Sequence, residues 1–205
     1  MRSFFRTTAL FLLFGTGSAF AQQSSDNGIP AGPARAALDG AGLYTCSQFI
    51  DAAAREDGSI RLYAGWVDGF LSGVNASRPD TFDITPWQST ELVLSMVRQF
   101  CSKNPELTYG DAVSGLFVAL YEDRLVVEDE IVRVESGKQG VFVYRTVISS
   151  LHAALIQAGY DAPSGETFRE QSRAALRKFQ RDEGLAESGL PDQVTLFRLF
   201  VGKKK

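Results

Sequence analysis

The chain has one histidine, two cysteines and two methionines in 205 residues, and no apolar run approaches the roughly 20 residues a membrane-spanning helix needs. Each shortage removes a class of chemistry. A single histidine with two cysteines falls short of the four ligands a structural zinc site requires. His152 has no serine, cysteine or carboxylate at a spacing that suggests a triad, and its setting in Ser149-Ser-Leu-His-Ala-Ala154 fits a polar residue beside a helix core. There is no glycine-rich phosphate loop and no His-Glu-x-x-His pair. Aspartate and glutamate are scattered too widely to nominate a glycosidase pair. The expectation is a protein without a cofactor, one that binds rather than catalyses.

What is present begins with an export signal. Arg2 and Arg6 precede a short apolar core, Ala9-Leu-Phe-Leu-Leu-Phe14, and Ala19-Phe20-Ala21 supplies a small-x-small cleavage site. Cleavage is expected before Gln22, with a periplasmic destination and no membrane span. Residues 22–42 are rich in Gln, Ser, Gly, Pro and Ala, and read as a flexible leader. Charge then divides the remainder: 22–144 carries nine basic and seventeen acidic residues, a net of −8, whereas 145–205 carries ten basic and seven acidic, a net of +3. The export signal and the acidic total argue against nucleic acid as a partner. Lys203, Lys204 and Lys205 read as a solvated terminus.

The fold class expected is mainly α: a disulfide-linked bundle over 43–124, a connector over 125–144 and a three-helix domain over 145–202. Thr45-Cys46-Ser47-Gln48 has capping-box spacing and starts a helix to about Arg55. A second helix, from Ser59 to about Asn75, carries Tyr63, Trp66, Val67, Phe70 and Val74 on one face. Its Gly65, Gly69 and Gly73 lie four apart, which suggests a closely packed neighbouring backbone, with a ligand groove as the other reading. Thr85-Pro86-Trp87-Gln88 reads as the third helix start, with Pro at the first helical position. Thr108-Tyr-Gly-Asp111 begins the fourth. Cys46 and Cys101, an even pair in an exported segment, read as a disulfide. The combination Cys46-x-x-Phe49, Trp66-Val-Asp-Gly-Phe-Leu-x-Gly73 and Phe100-Cys101-x-x-Asn104-Pro105 resembles small disulfide-bonded periplasmic helical proteins, among them acid-resistance chaperones and immunity proteins against type VI secretion toxins. That resemblance implies an envelope protein, a client or a toxin as partner, and Trp66, Phe70 and Trp87 are the candidate contacts, with core packing as the competing role.

In the connector, Ile131-Val-Arg-Val-Glu135 and Val141-Phe-Val-Tyr144 flank Ser136-Gly-Lys-Gln-Gly140, a hairpin pattern that competes with extension of the fourth helix through Glu130. Beyond it, apolar residues at helical spacing stop at Gly184, turn at Gly189 and Pro191-Asp192, and resume through Val194, Leu196 or Phe197, and Leu199 or Phe200. Gly159-Tyr160, Ala175-Leu176-x-x-Phe179-Gln180, Gly184-Leu185, Gly189, Asp192, Thr195 and Leu199 together resemble the three-helix peptidoglycan-binding domain. Two places depart from the family's pattern: Gly165-Glu-Thr-Phe-Arg169 stands for its usual Asp-Gly-x-Phe-Gly, and Leu151-His152 for its Leu-Gln. Arg169, Arg173, Arg177 and Arg181, spaced by four, read as a basic ridge able to engage wall carboxylates in forked hydrogen bonds, or as a solvated or domain-docking face. The resemblance implies peptidoglycan as a partner; Arg169, Arg173, Arg177, Gln180, Arg181, Gly189 and Asp192 are the contacts expected here. The function expected is a non-enzymatic wall-associated protein presenting its first domain to another protein. Its alternatives are a periplasmic acid-stress chaperone or immunity protein, and an accessory subunit of a wall hydrolase.

Overall fold

The computed structural model describes residues 37–55 and 57–202. The export signal, most of the leader and the lysine tail lie outside the described residues. Seven helices and one hairpin follow in order: α1 (Cys46–Ala54), α2 (Ile60–Ser77), α3 (Thr90–Cys101), α4 (Tyr109–Leu120), β1 (Ile131–Ser136), β2 (Gln139–Tyr144), α5 (Arg145–Gln157), α6 (Glu170–Asp182) and α7 (Gln193–Phe200). Among the described residues no helix is long and apolar enough to cross a membrane, and no group of His, Cys, Asp and Glu could hold a metal ion.

Two capping boxes start helices where the spacing predicts them. Thr45 accepts from the Gln48 N–H while Gln48 accepts from the Thr45 N–H, and Thr108 and Asp111 repeat the exchange at α4. Phe49, Tyr63 and Tyr109 then meet at ring distances of 4.8–5.2 Å in the bundle's core. Cys46 and Cys101, both fully buried, form the disulfide that ties the start of α1 to the end of α3.

Three features differ from the sequence reading. The third helix begins at Thr90, not Pro86, because long-range partners hold the preceding segment extended. Asp83 bridges Leu125, the Asn75 side chain accepts from the Ile84 N–H at 3.0 Å, and Ser89 caps α3 instead. Among the described residues nothing lies within 4 Å of a Cβ placed at Gly65, Gly69 or Gly73, so no described backbone packs against that stripe. Finally, the leader's last residues join the fold: a 3-10 turn at Gly40–Leu43 buries Ala41, and the Trp66 indole donates to the Asp39 carbonyl at 2.7 Å.

The hairpin forms in place of an extended fourth helix. Its register pairs Val134 with Val141 and Val132 with Val143, so Val134 and Val143 face inward, while Arg133 pairs with Phe142 on the outer face. A second core gathers these valines with Val147, Ile148, Leu151 and Leu155 of α5, Ala175, Leu176 and Phe179 of α6, and Leu190 and Leu196. Val194, expected on the apolar face of α7, is exposed. Trp87 belongs to this second core although it precedes α3. Its ring meets Phe200 at 5.3 Å, its carbonyl accepts from the Gln193 amide, and Gln193 in turn accepts from the Ser89 N–H at 2.7 Å.

Candidate functional site

The C-terminal module is organised around polar groups buried between its helices. Gln180, on α6, is fully buried. Its amide nitrogen donates to Ser188 Oγ, the Leu190 carbonyl and Thr195 Oγ1 at 3.0–3.1 Å, and its oxygen accepts from the Gly189 N–H at 2.8 Å. Gly189 is held at φ 66° directly beneath Arg173 and Arg177: a Cβ there would lie 2.7 Å from Arg173 Cγ. Asp192 caps α7 by accepting from the Thr195 N–H, and also accepts from Ser188 Oγ. These three residues, expected as ligand contacts, build the turn on which α6 and α7 meet: Gln180 and Gly189 are buried there, and Asp192 is half-buried. The motif is legible in sequence because this internal scaffold demands it.

His152 fills a comparable place on α5. Its Nδ1 lies 2.7 Å from the Gly165 carbonyl and its Nε2 2.8 Å from Ser172 Oγ, which also accepts from the Arg169 N–H. One neutral tautomer satisfies every group: Nδ1–H donates to Gly165, and Nε2 accepts the Ser172 hydroxyl proton. The ring thereby pins the altered 165–169 loop to the module, with Phe168 stacked 6.4 Å away. Burial pushes the imidazole below its ordinary range, against a smaller opposing contribution from the Gly165 hydrogen bond. Because the folded form resists protonation, His152 contributes stability that is complete above about pH 6.5 and is lost as pH falls toward its depressed folded value. We expect His152→Gln, the residue usual in the resembling family, to keep both hydrogen bonds. It should flatten the fall in melting temperature between neutral pH and about pH 5. An equally steep fall in the variant would assign the slope to other groups.

The four arginines do not stand as one free ridge. Arg181 is forked onto Glu187 at 3.0 and 2.6 Å. Arg173 pairs with Glu170 at 3.2 Å and lies 5.5 Å from the Phe168 ring centre. Arg177 turns toward the hairpin and donates to Ser136 Oγ at 3.4 Å, while Arg169 is exposed at the N-cap of α6. On the bundle, Trp66 stacks on Phe70 at 5.5 Å against the first core, while Trp87 packs against the second core beside Phe200. The structure thus gives these three aromatics internal contacts.

A concavity beside β1 was not legible in the sequence. A groove of about 360 Å³ runs along β1, lined by Val132, Arg133, Val134 and Glu135 on one side and by Glu166, Thr167 and Phe168 on the other, with Arg145 and Arg173 between. Arg145 Nε and Arg173 Nη1 are buried donors with no partner among the described residues. Nothing in their local sequence marks Arg133 and Arg145, since only the folded hairpin sets them beside α6. No curated protein and no solved structure matches the chain, and the resemblance of 43–121 to periplasmic bundles finds no support there. Residues 145–199, spanning α5 to α7 and the Gln180 scaffold, match the family model of a putative peptidoglycan binding domain, and this supports peptidoglycan association for the C-terminal module.

Proposed function

We propose that this is an exported, non-enzymatic protein of the periplasm that holds to peptidoglycan through residues 145–199 and carries its disulfide-bonded bundle to the wall as a protein-binding unit. The observation that carries the reading is the coincidence of the family match with an arginine-lined groove between that module and the hairpin preceding it. Wall stem peptides and lactyl groups present carboxylates, and guanidinium groups engage carboxylates through paired, charge-assisted hydrogen bonds. The disulfide fits an oxidising compartment. Exposed Leu43, Leu62 and Val118 on the bundle offer apolar surface for an envelope protein, client or toxin.

Co-sedimentation of the mature chain with purified sacculi tests this. The protein should pellet with sacculi and not with cellulose, and part of the bound fraction should be lost as salt rises above about 0.15 M, where exposed charges are screened beyond about 8 Å. No soluble muropeptide should be released during the incubation. Absence of pelleting at every salt would overturn wall association, and release of muropeptides would overturn the non-enzymatic assignment.

A further inference from the structure

The sheet has only two strands, so β1 pairs with β2 on one side and with nothing among the described residues on the other. In an antiparallel pair, alternate residues point their N–H and C=O groups away from the partner strand. A two-residue turn, Gly137-Lys138, makes Ser136 and Gln139 the closing hydrogen-bonded pair, which leaves Arg133 and Glu135 as the residues whose main-chain groups face outward. Four consecutive β1 residues, 132–135, line the groove, although their side chains alternate between two faces. What they share is the strand's edge. The groove is therefore bounded on one side by unpaired main-chain donors and acceptors.

Its charges complement a particular kind of strand. Arg145 and Arg173 hold buried guanidinium nitrogens without partners among the described residues, and their existing ion pairs leave much to gain. Glu130 meets Arg145 at 3.0 Å and Glu170 meets Arg173 at 3.2 Å, but these carboxylates are 62% and 79% exposed, so each pair is weak and readily exchanged. Glu135 is occupied by Arg133. Glu166 lines the opposite wall and would face an ammonium group on the incoming chain.

We propose that the free edge of β1 binds an extended peptide bearing free carboxylates, which lies along the edge, hydrogen-bonds through its amides to the outward main-chain groups of Arg133 and Glu135, and sets its carboxylates against Arg145 and Arg173. Main-chain pairing supplies affinity, and the two arginines supply selectivity for the acidic side chains or terminus. The inference rests on the wall-binding reading above and deepens it: the module recognises the peptide of peptidoglycan rather than its sugars. Most of this edge lies outside residues 145–199, so the specificity belongs to this chain's own hairpin.

The full mature chain, bound to sacculi, should be released by the synthetic tetrapeptide L-alanyl-D-γ-glutamyl-meso-diaminopimelyl-D-alanine. The same peptide with its carboxylates amidated, and peptide-free glycan strands, should leave it bound. Arg145→Gln and Arg173→Gln should each weaken the peptide about tenfold or more, as expected on losing a charge-assisted hydrogen bond. Arg133→Pro, which removes an outward N–H at an edge position, should weaken it beyond Arg133→Gln while the hairpin persists. Release by glycan alone would overturn the edge proposal and leave wall binding standing. Failure to bind sacculi at all would overturn wall binding. In that case, titration of the tetrapeptide into ¹⁵N-labelled protein still decides: unmoved amide signals at 132–135 would overturn the proposal.

Discussion

Breaking the Cys46–Cys101 bond, by reductant or by paired replacement with serine, should lower the stability of the bundle by about 4 kcal/mol. The bond closes a loop across a sequence separation of 55, and restriction of the unfolded chain accounts for an effect of about that size. It also joins two segments that local hydrogen bonds only partly secure. The Cys46 N–H donates to the Leu107 carbonyl at 2.8 Å and the Ser47 N–H to the Pro105 carbonyl at 3.1 Å, so the start of α1 is tied to the loop after α3 by few other links. Small domains have a total stability of only about 5–15 kcal/mol, so the loss would be a large part of what the bundle has. Urea denaturation with and without reductant measures it. Because each core is assembled from its own helices, the transition of the second core should stay where it was. If both move together, Trp87, Phe200 and Gln193 transmit enough stability to make the two cores cooperative.

The helix starts that sequence reveals are those whose instructions are local. Thr45 with Gln48, and Thr108 with Asp111, satisfy their own first-turn donors within four residues, so spacing alone identifies them. Pro86 carries a valid local signal that is overridden. Asn75 and Leu125, distant in sequence, take the hydrogen bonds of 82–84, and Trp87 is drawn into the second core. The glycine stripe on α2 misleads for the opposite reason, because its missing side chains mark no contact in the described fold. We have no physical account of its regular spacing.

The site shows the same division between local and assembled information. Arg173 was legible through its spacing on an amphipathic helix. Arg133 and Arg145 were not, because the groove exists only after hairpin register and the docking of α6 place residues about 40 apart along one edge. A pattern that alternates inward valines with Arg133 and Glu135 predicts which β1 side chains face outward, but it carries no information about what lies across from them.

Gln180→Leu should separate scaffold from contact most sharply, with a stability loss of about 3 kcal/mol in the C-terminal module. The substituted side chain would leave the Gly189 N–H and the Leu190 carbonyl without their present partner in the interior, and it would also release Ser188 Oγ and Thr195 Oγ1. Unpaired buried groups of this kind cost about 1–3 kcal/mol each. Gln180 has no accessible surface, however, and cannot itself touch a wall polymer. Affinity for sacculi, measured well below the melting temperature and corrected for the folded fraction, should therefore change by less than about twofold, within the coupling expected between residues that share no ligand. A direct ligand contact would give the reverse: intact melting and lost binding. The same pairing of Phe179 and Gln180 that marks the module in sequence would then be a contact for the wall, and the Ser188–Leu190 turn would have to open for the polymer to reach it.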